Sequence, residues 1–258
     1  MSDRLLCFEA IENFRDFGGY AGADGPVARG RLFRSGQLSR TTEADLQQLR
    51  ALDIRYVVDL RRSSERIKQP DRMPQDWQGQ TLSSDLGGEG LAPHIQFLKS
   101  GKLTGDSGRD YMAGTYGRMP YEPSHVELFK AYFAALIRDD GASLIHCAAG
   151  KDRTGLLASL VHRALGVHED DVMADYLATN AAVNLEARAV EMGQWLGKMT
   201  GHPVSRDAVV AFLGVDADFL HHAYRTIEAR SGSVDTYMEQ VLELDGAALG
   251  KLRQVLSV

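Results

Sequence analysis

The chain has 258 residues, with 29 basic against 35 acidic side chains, a net charge of −6 with histidine neutral. That length suits one large domain or two small ones and buries about 70–75% of the unfolded surface, so disulfide staples and structural metals are not needed. With 44% hydrophobic residues, 25% charged residues and seven prolines, collagen-like, disordered and disulfide-scaffold classes are excluded, and mild acidity argues against a nucleic-acid partner.

No apolar run reaches the roughly 18 residues of a membrane span, so integral membrane association is not expected. Asp3, Arg4 and Glu9 leave no room for a signal-peptide core, which points to the cytoplasm, with leaderless secretion left open. The only two cysteines, Cys7 and Cys147, lie far apart, and without an export signal a disulfide is not expected. Asn13 to Tyr20 ends in a turn-forming glycine pair, and Arg31 to Arg34 reads as a short strand. Thr42 to Leu52 reads as a helix capped by Thr42, with Leu46, Leu49 and Leu52 on one face. Ile54 to Leu60 is β-branched and largely apolar, as a strand covered on both faces should be. Residues 69–123 look irregular, with eight glycines between Gly87 and Gly117 and little helical spacing. A stretch of that kind is usually a lid over a site, and otherwise a surface insertion.

Regular pattern resumes at Ser124-His125-Val126-Glu127, which has the form of a capping box. Ser143 to Cys147 reads as a strand, and Leu156 to Leu165 as a helical face that stops at Gly166. The remainder reads as helices, one capped by Asp216 and closed by Gly232. Strands interleaved with helices, then a helical tail, predict an α/β fold in which helices cover a sheet.

The segment that carries chemistry is His146-Cys147-Ala148-Ala149-Gly150-Lys151-Asp152-Arg153-Thr154-Gly155, between the predicted strand and helix. Five residues separate Cys147 from Arg153, enough to wrap a loop around a tetrahedral anion. The N–H groups of Ala148, Ala149, Gly150, Lys151, Asp152 and Arg153 can then converge at the positive end of the following helix. Gly150 can adopt a backbone conformation closed to other residues. Arg153 offers a planar fork for two phosphate oxygens. A site that binds a dianion also favours a thiolate, so Cys147 is the expected nucleophile, and the Thr154 hydroxyl a donor to its sulfur as it leaves. Full thiol ionisation gains only about thirtyfold, roughly 2 kcal/mol, whereas phosphomonoester hydrolysis demands more than about 20 kcal/mol. The loop N–H groups and Arg153 must therefore supply most of the catalysis.

A leaving alkoxide or phenolate needs a proton, and two carboxyl groups compete for that role: Asp152 inside the loop and Asp85 after a predicted strand. Lys151 is a candidate for a second phosphate or for electropositive support. His146 is expected to orient the loop by hydrogen bonding. Asp59 and Arg61 close the central strand, where sheet ends line sites, and Arg61 is a candidate phosphate ligand unless it belongs to a solvated basic face with Arg62, Arg66 and Lys68. Cys7 is read as a bystander. The His146/Cys147 pair has no second pair at zinc spacing, so no metal is expected.

The loop resembles the signature of cysteine-dependent phosphatases, and the version with Lys151-Asp152 before Arg153 is similar to that of a bacterial tyrosine-phosphatase family. Asn13 to Asp16, Arg31 to Ser35, Asp59 to Arg61, Ala174 to Leu177 and Gly232 to Val234 resemble further blocks of that family. The resemblance implies a cysteine-phosphatase-like α/β fold with a central, mainly parallel sheet flanked by helices. It implies one domain over residues 1–258, with a lid at about 81–123 and a helical part at about 168–258. It also implies cofactor-free hydrolysis of phosphotyrosine in proteins, extending in some members to phosphoserine, phosphothreonine and phosphoinositides, with inorganic phosphate as product and vanadate as inhibitor. The same resemblance makes Asp85 the preferred acid over Asp152. A lipid phosphatase of related signature carries a lysine where Ala148 stands here, which weakens a phosphoinositide reading. The alternatives kept open are that lipid reading, a pseudophosphatase that binds phosphate without turnover, and a sulfurtransferase.

Overall fold

The computed structural model describes residues 4–86, 96–97, 104–138, 141–200 and 204–258. Its centre is a five-stranded sheet in the order β1 (Arg15–Asp16), β4 (Leu32–Ser35), β7 (Ala142–His146), β5 (Ile54–Asp59) and β6 (Gln80–Ser83). Only the β1–β4 pair is antiparallel, so the sheet is mainly parallel, as expected. A small hairpin of β2 (Ala21–Gly22) and β3 (Gly25–Pro26) stands apart from it.

Successive residues of the central strands enter different cores. Phe33, Val57 and Leu144 pack with Leu46 and Leu49 of α1 (Glu43–Ala51), whereas Leu32, Val58 and Ile145 join a larger core on the other face. That second core is closed by α4 (Pro123–Ile137), α5 (Asp152–Ala164), α6 (Glu169–Ala182), α9 (Ala217–Ser231), α10 (Val234–Gln240) and α11 (Gly246–Leu256). Coverage on both faces explains the near-continuous apolar runs of the strands. Ser35 and Asp59 both pair with His146, so β4, β7 and β5 end at one level and their following loops surround one site.

Thr42 caps α1 in a reciprocal capping box with Asp45, and Asp216 and Gly232 bound α9. Two expectations are corrected. Ser124 is not a cap: Pro123 occupies the first turn of α4, which Glu122 precedes without a side-chain cap, because the fixed proline φ suits a helix start. The irregular stretch contains the 14-residue α3 (Gly105–Arg118). Its glycines, Gly105, Gly108, Gly114 and Gly117, lower helix propensity and blur the apolar spacing. Burial of Met112 and Tyr116 holds the helix in place, and a Cβ at Gly117 would lie 3.1 Å from His222 Nε2 of α9. Two further helices, α7 (Leu185–Thr200) and α8 (Arg206–Leu213), pack on each other through Ala189, Leu196 and Val209, and α8 also packs on α3. A short α2 (Ser63–Lys68) follows β5.

Candidate active site

Cys147 immediately follows β7 and is only 2% exposed. The carbonyls of the next three residues are drawn outward. Ala148 O accepts from Gln37 N at 3.1 Å. Asn13 Nδ2 donates to Ala149 O at 3.2 Å and to Gly150 O at 2.8 Å, and Arg34 Nη2 adds a bond to Gly150 O at 3.1 Å. Among the described residues none of the N–H groups of Ala148 to Arg153 has an acceptor. Carbonyls held outward and N–H groups left unpaired make an anion nest at the start of α5. Gly150 has φ +66, and a Cβ there would overlap the carbonyl of Ser35, so only glycine fits.

A buried ionic cage supports those outward bonds. Arg34 Nη1 donates to Asp175 Oδ2 at 2.6 Å and Arg15 Nε to Asp175 Oδ1 at 3.2 Å. Arg15 also donates to Thr179 Oγ1 at 3.1 Å and to the Asn13 side chain. Burial alone would raise the Asp175 carboxyl, but the two guanidinium charges overcome it and hold it well below the usual carboxylate range. Burial and the nearby Arg34 charge bring Arg15 down to about 10.

Arg153 is oriented before any ligand arrives. Nη1 donates to Leu60 O at 3.1 Å and to Glu65 Oε2 at 2.7 Å, and Nη2 to Glu65 Oε1 at 3.2 Å. Three of its five N–H donors are thereby used, leaving Nε–H and one Nη2–H without a partner among the described residues. Those two lie along one edge of the guanidinium, the geometry that grips two phosphate oxygens. Burial would depress its pKa, but the negative charges of Cys147, Glu65 and Asp152 raise it above the ordinary arginine value. Thr154 is fully buried, and its Oγ1 has no hydrogen-bond partner among the described residues.

The two carboxyl candidates part company. Asp152 lines the pocket in front of Cys147, where its Oδ1 accepts from Tyr116 Oη at 2.9 Å, and Tyr176 Oη donates to Tyr116 Oη at 2.6 Å. Burial and the Asp152 charge push both tyrosines well above their usual pKa, so they remain donors. Asp85 is 86% exposed, is ion-paired with Arg66 and does not line that pocket. Of the two candidates, Asp152 is therefore the one that lines the pocket among the described residues. Lys151 also lines the pocket, and its Nζ donates to Phe212 O at 2.7 Å and Gly214 O at 2.9 Å, latching the loop to the end of α8.

Arg61, like Asp85, does not line that pocket among the described residues. It is buried, with Nε 2.8 Å from Asp59 Oδ1 and Nη2 2.7 Å from Asp59 Oδ2 and 2.8 Å from Asp71 Oδ2. His146 Nε2 lies 3.0 Å from Asp71 Oδ2. Burial opposes protonation of this histidine, but Asp59 and Asp71 raise its pKa overall. Asp59, Asp71 and His146 are close enough to share a cation, and the Arg61 guanidinium already supplies that charge. His146, Asp59 and Arg61 are thus buried together against Asp71, and neither ring nitrogen of His146 makes a hydrogen bond among the described residues.

The pocket above Cys147 has a volume of about 300 Å³. Its walls include residues that the sequence did not single out: Arg62 and Glu65 of the β5–α2 region, Tyr111, Thr115 and Arg118 of α3, His125 of α4, and Phe212 of α8. The Tyr111 and Phe212 ring centroids are 6.2 Å apart, and Phe97 stacks on Tyr111 at 4.4 Å. Burial, aided by the Arg153 charge, lowers His125 to about 4, so it faces the pocket neutral. Within the stretch 81–123, α3 lines the pocket, and α8, read only as tail, adds Phe212 beside Tyr111. Pattern alone had no signal for that second aromatic, since Phe212 reads as one more apolar helix residue.

The model of the tyrosine phosphatase family matches residues 6–258. The chain is 34% identical over 252 residues to a Cupriavidus necator protein provisionally named a tyrosine-protein phosphatase, across 95% of this chain and 86% of that one. It is 33% identical over 273 residues to the triple specificity protein phosphatase PtpB of Mycobacterium tuberculosis, across 95% of this chain and 96% of the relative. A Nostoc commune tyrosine-protein phosphatase is 29% identical over 145 residues, covering 55% of this chain and 46% of its own.

Proposed function

The chain belongs to the tyrosine phosphatase family, and from that premise we propose that it hydrolyses phosphotyrosine in proteins through a phosphocysteine formed on Cys147. The substrate phosphate occupies the nest of loop N–H groups, with two of its oxygens on the unpaired edge of Arg153. The Cys147 thiolate attacks phosphorus; the S–P bond forms as the bond to the phenolic oxygen breaks, and Asp152 gives its proton to that oxygen. Water then attacks phosphorus, its proton passes to the Asp152 carboxylate, and sulfur departs as a thiolate that the Thr154 hydroxyl can stabilise. Inorganic phosphate leaves.

The observation that carries this reading is the arginine edge left open after Glu65 and Leu60 have taken the other donors. Each donor aimed at developing charge is worth about 10²–10³ in rate, whereas thiol ionisation gains only about thirtyfold. The aromatic walls favour an aryl phosphate, and Lys151, committed to two carbonyls, is not offered to a second phosphate of an inositol headgroup. Phosphotyrosine is therefore the preferred substrate, with phosphoserine, phosphothreonine and phosphoinositides behind it. The family pattern and two free cysteines suit one catalytic unit over residues 1–258 working in the reducing cytoplasm. Among the described residues no helix is long and apolar enough to cross a membrane.

The test is a substrate panel of phosphotyrosine, phosphoserine and phosphothreonine peptides and phosphoinositide vesicles. Vanadate should inhibit, Cys147→Ser should abolish turnover, and Arg153→Lys should lower kcat by at least about 10². Turnover that survives Cys147→Ser would remove the phosphocysteine, and tight phosphopeptide binding without turnover would make the chain a pseudophosphatase.

A further inference from the structure

We propose that a second hollow, on the other flank of the catalytic loop, is a subsite for residues neighbouring the phosphotyrosine, and that it selects an apolar residue and an acidic residue in an extended peptide. The proposal rests on the phosphatase reading above. The hollow has a volume of about 330 Å³ and shares Ala148, Ala149, Lys151 and Leu213 with the catalytic pocket. Those four shared residues form the boundary between the two spaces, and Lys151 is tied down there by its carbonyl partners. A peptide whose phosphotyrosine fills the first pocket can therefore extend across that boundary into the second.

The chemistry of the walls defines the occupant. Val183 and Leu185 are 9% and 8% exposed, packed at the α6–α7 junction, and with Met192 they form an apolar wall of fixed shape. Opposite them, Gln37 and Arg40 come from the turn after β4. Arg40 is exposed and has no side-chain partner among the described residues, so it is available to a carboxylate on the peptide. Glu12 lies on the same rim, which opposes a dianionic second phosphate more strongly than a single carboxylate. At the lower end of ligand-pocket volumes, roughly 300–1,000 Å³, the space suits one or two side chains.

The experiment compares 4-nitrophenyl phosphate with two phosphotyrosine peptides of equal length, one flanked by Glu and Leu and one by Gly and Ala. Wild type should prefer the Glu/Leu peptide. Arg40→Glu and Met192→Arg should each reduce kcat/KM for that peptide about five- to tenfold, mostly through KM, the scale of one buried apolar side chain or one charge reversal. Hydrolysis of 4-nitrophenyl phosphate, which cannot reach the hollow, should stay unchanged, as should the urea midpoint. Equal losses on both substrates, or no loss on the Glu/Leu peptide, would overturn the subsite. A loss on phosphoinositide vesicles with peptides unaffected would also overturn it, in favour of a lipid contact. Binding of the two peptides to the Cys147→Ser protein is measured alongside. A peptide preference there that Arg40→Glu abolishes supports the subsite even if the wild-type protein proves inactive, which would sink the phosphatase reading alone.

Discussion

The two sides of the catalytic loop are built from different physics. Behind it, Asn13, Arg15, Arg34 and Asp175 are all buried and paired at close range. In front of it, Arg62 sits 3.7 Å from Glu122 with both partly exposed, and Arg118 reaches Thr115 at 3.3 Å. Breaking a buried charge pair by removing one partner costs about 3–5 kcal/mol, whereas an exposed pair is worth about 0.2–1 kcal/mol. The rear therefore fixes the shape of the phosphate nest, and the front is free to vary with the substrate.

The sharpest way to break that contrast is Asp175→Asn, which leaves two buried guanidinium groups without their counter-ion. It should lower unfolding stability by about 3–5 kcal/mol; an unchanged urea midpoint would show that the cage is not what holds the loop. On the catalytic side, Asp152→Asn should cut kcat on phosphotyrosine peptides by about 10²–10⁴, with Asp85→Asn far milder. The reverse ranking would return the acid role to Asp85.

Acid sensitivity probes the same boundary. His125 and His162 are buried with pKa values below the ordinary histidine value, His125 at about 4. As pH falls from about 6.5 toward 4, the unfolded chain takes up protons that these folded sites refuse, so their contribution to stability falls. His146 acts in the opposite sense: its raised pKa gives stability that is fullest below about 6.5 and fades as pH rises through the folded value. The His125 share is isolated by His125→Gln, which should narrow the stability gap between pH 7 and pH 5 by about 2 kcal/mol. A gap of unchanged width in urea titrations would count against it. The smallest effect on turnover is expected from Tyr116→Phe, which deletes the bond to Asp152 and the acceptor of the Tyr176 hydroxyl, the former worth about 1 kcal/mol. Peptide kcat should drop a few fold with KM nearly constant, and a pure KM effect would assign Tyr116 to binding instead.

Much of the fold was legible because local chemistry and tertiary need coincide in it. β5 and β7 read as apolar runs because both faces are covered, and α1 and α9 carried their own caps in Thr42 and Asp216. α3 escaped because its glycines suppress helical pattern, and packing of Met112 and Tyr116 against the core, with the Thr104 cap, supports it. The family blocks around Asn13, Arg34 and Asp175 were visible as residues, but not as a cage, since they come together across 160 positions between Arg15 and Asp175.

By itself, the spacing from Cys147 through Gly150 to Arg153 pointed to the family, because a cysteine, a glycine-containing anion nest and an arginine within one short loop are local chemistry. The roles of charged side chains were decided only in three dimensions. Arg61 and Arg62 are adjacent in the chain, yet one is buried between Asp59 and Asp71 while the other faces the pocket. Lys151 and Asp152 are neighbours too, one bound to carbonyls of α8 and its end, the other held at the pocket by Tyr116. The function of an ionic group depends on which partner lies within about 3 Å of it, and those partners arrive from distant helices whose positions the core alone sets.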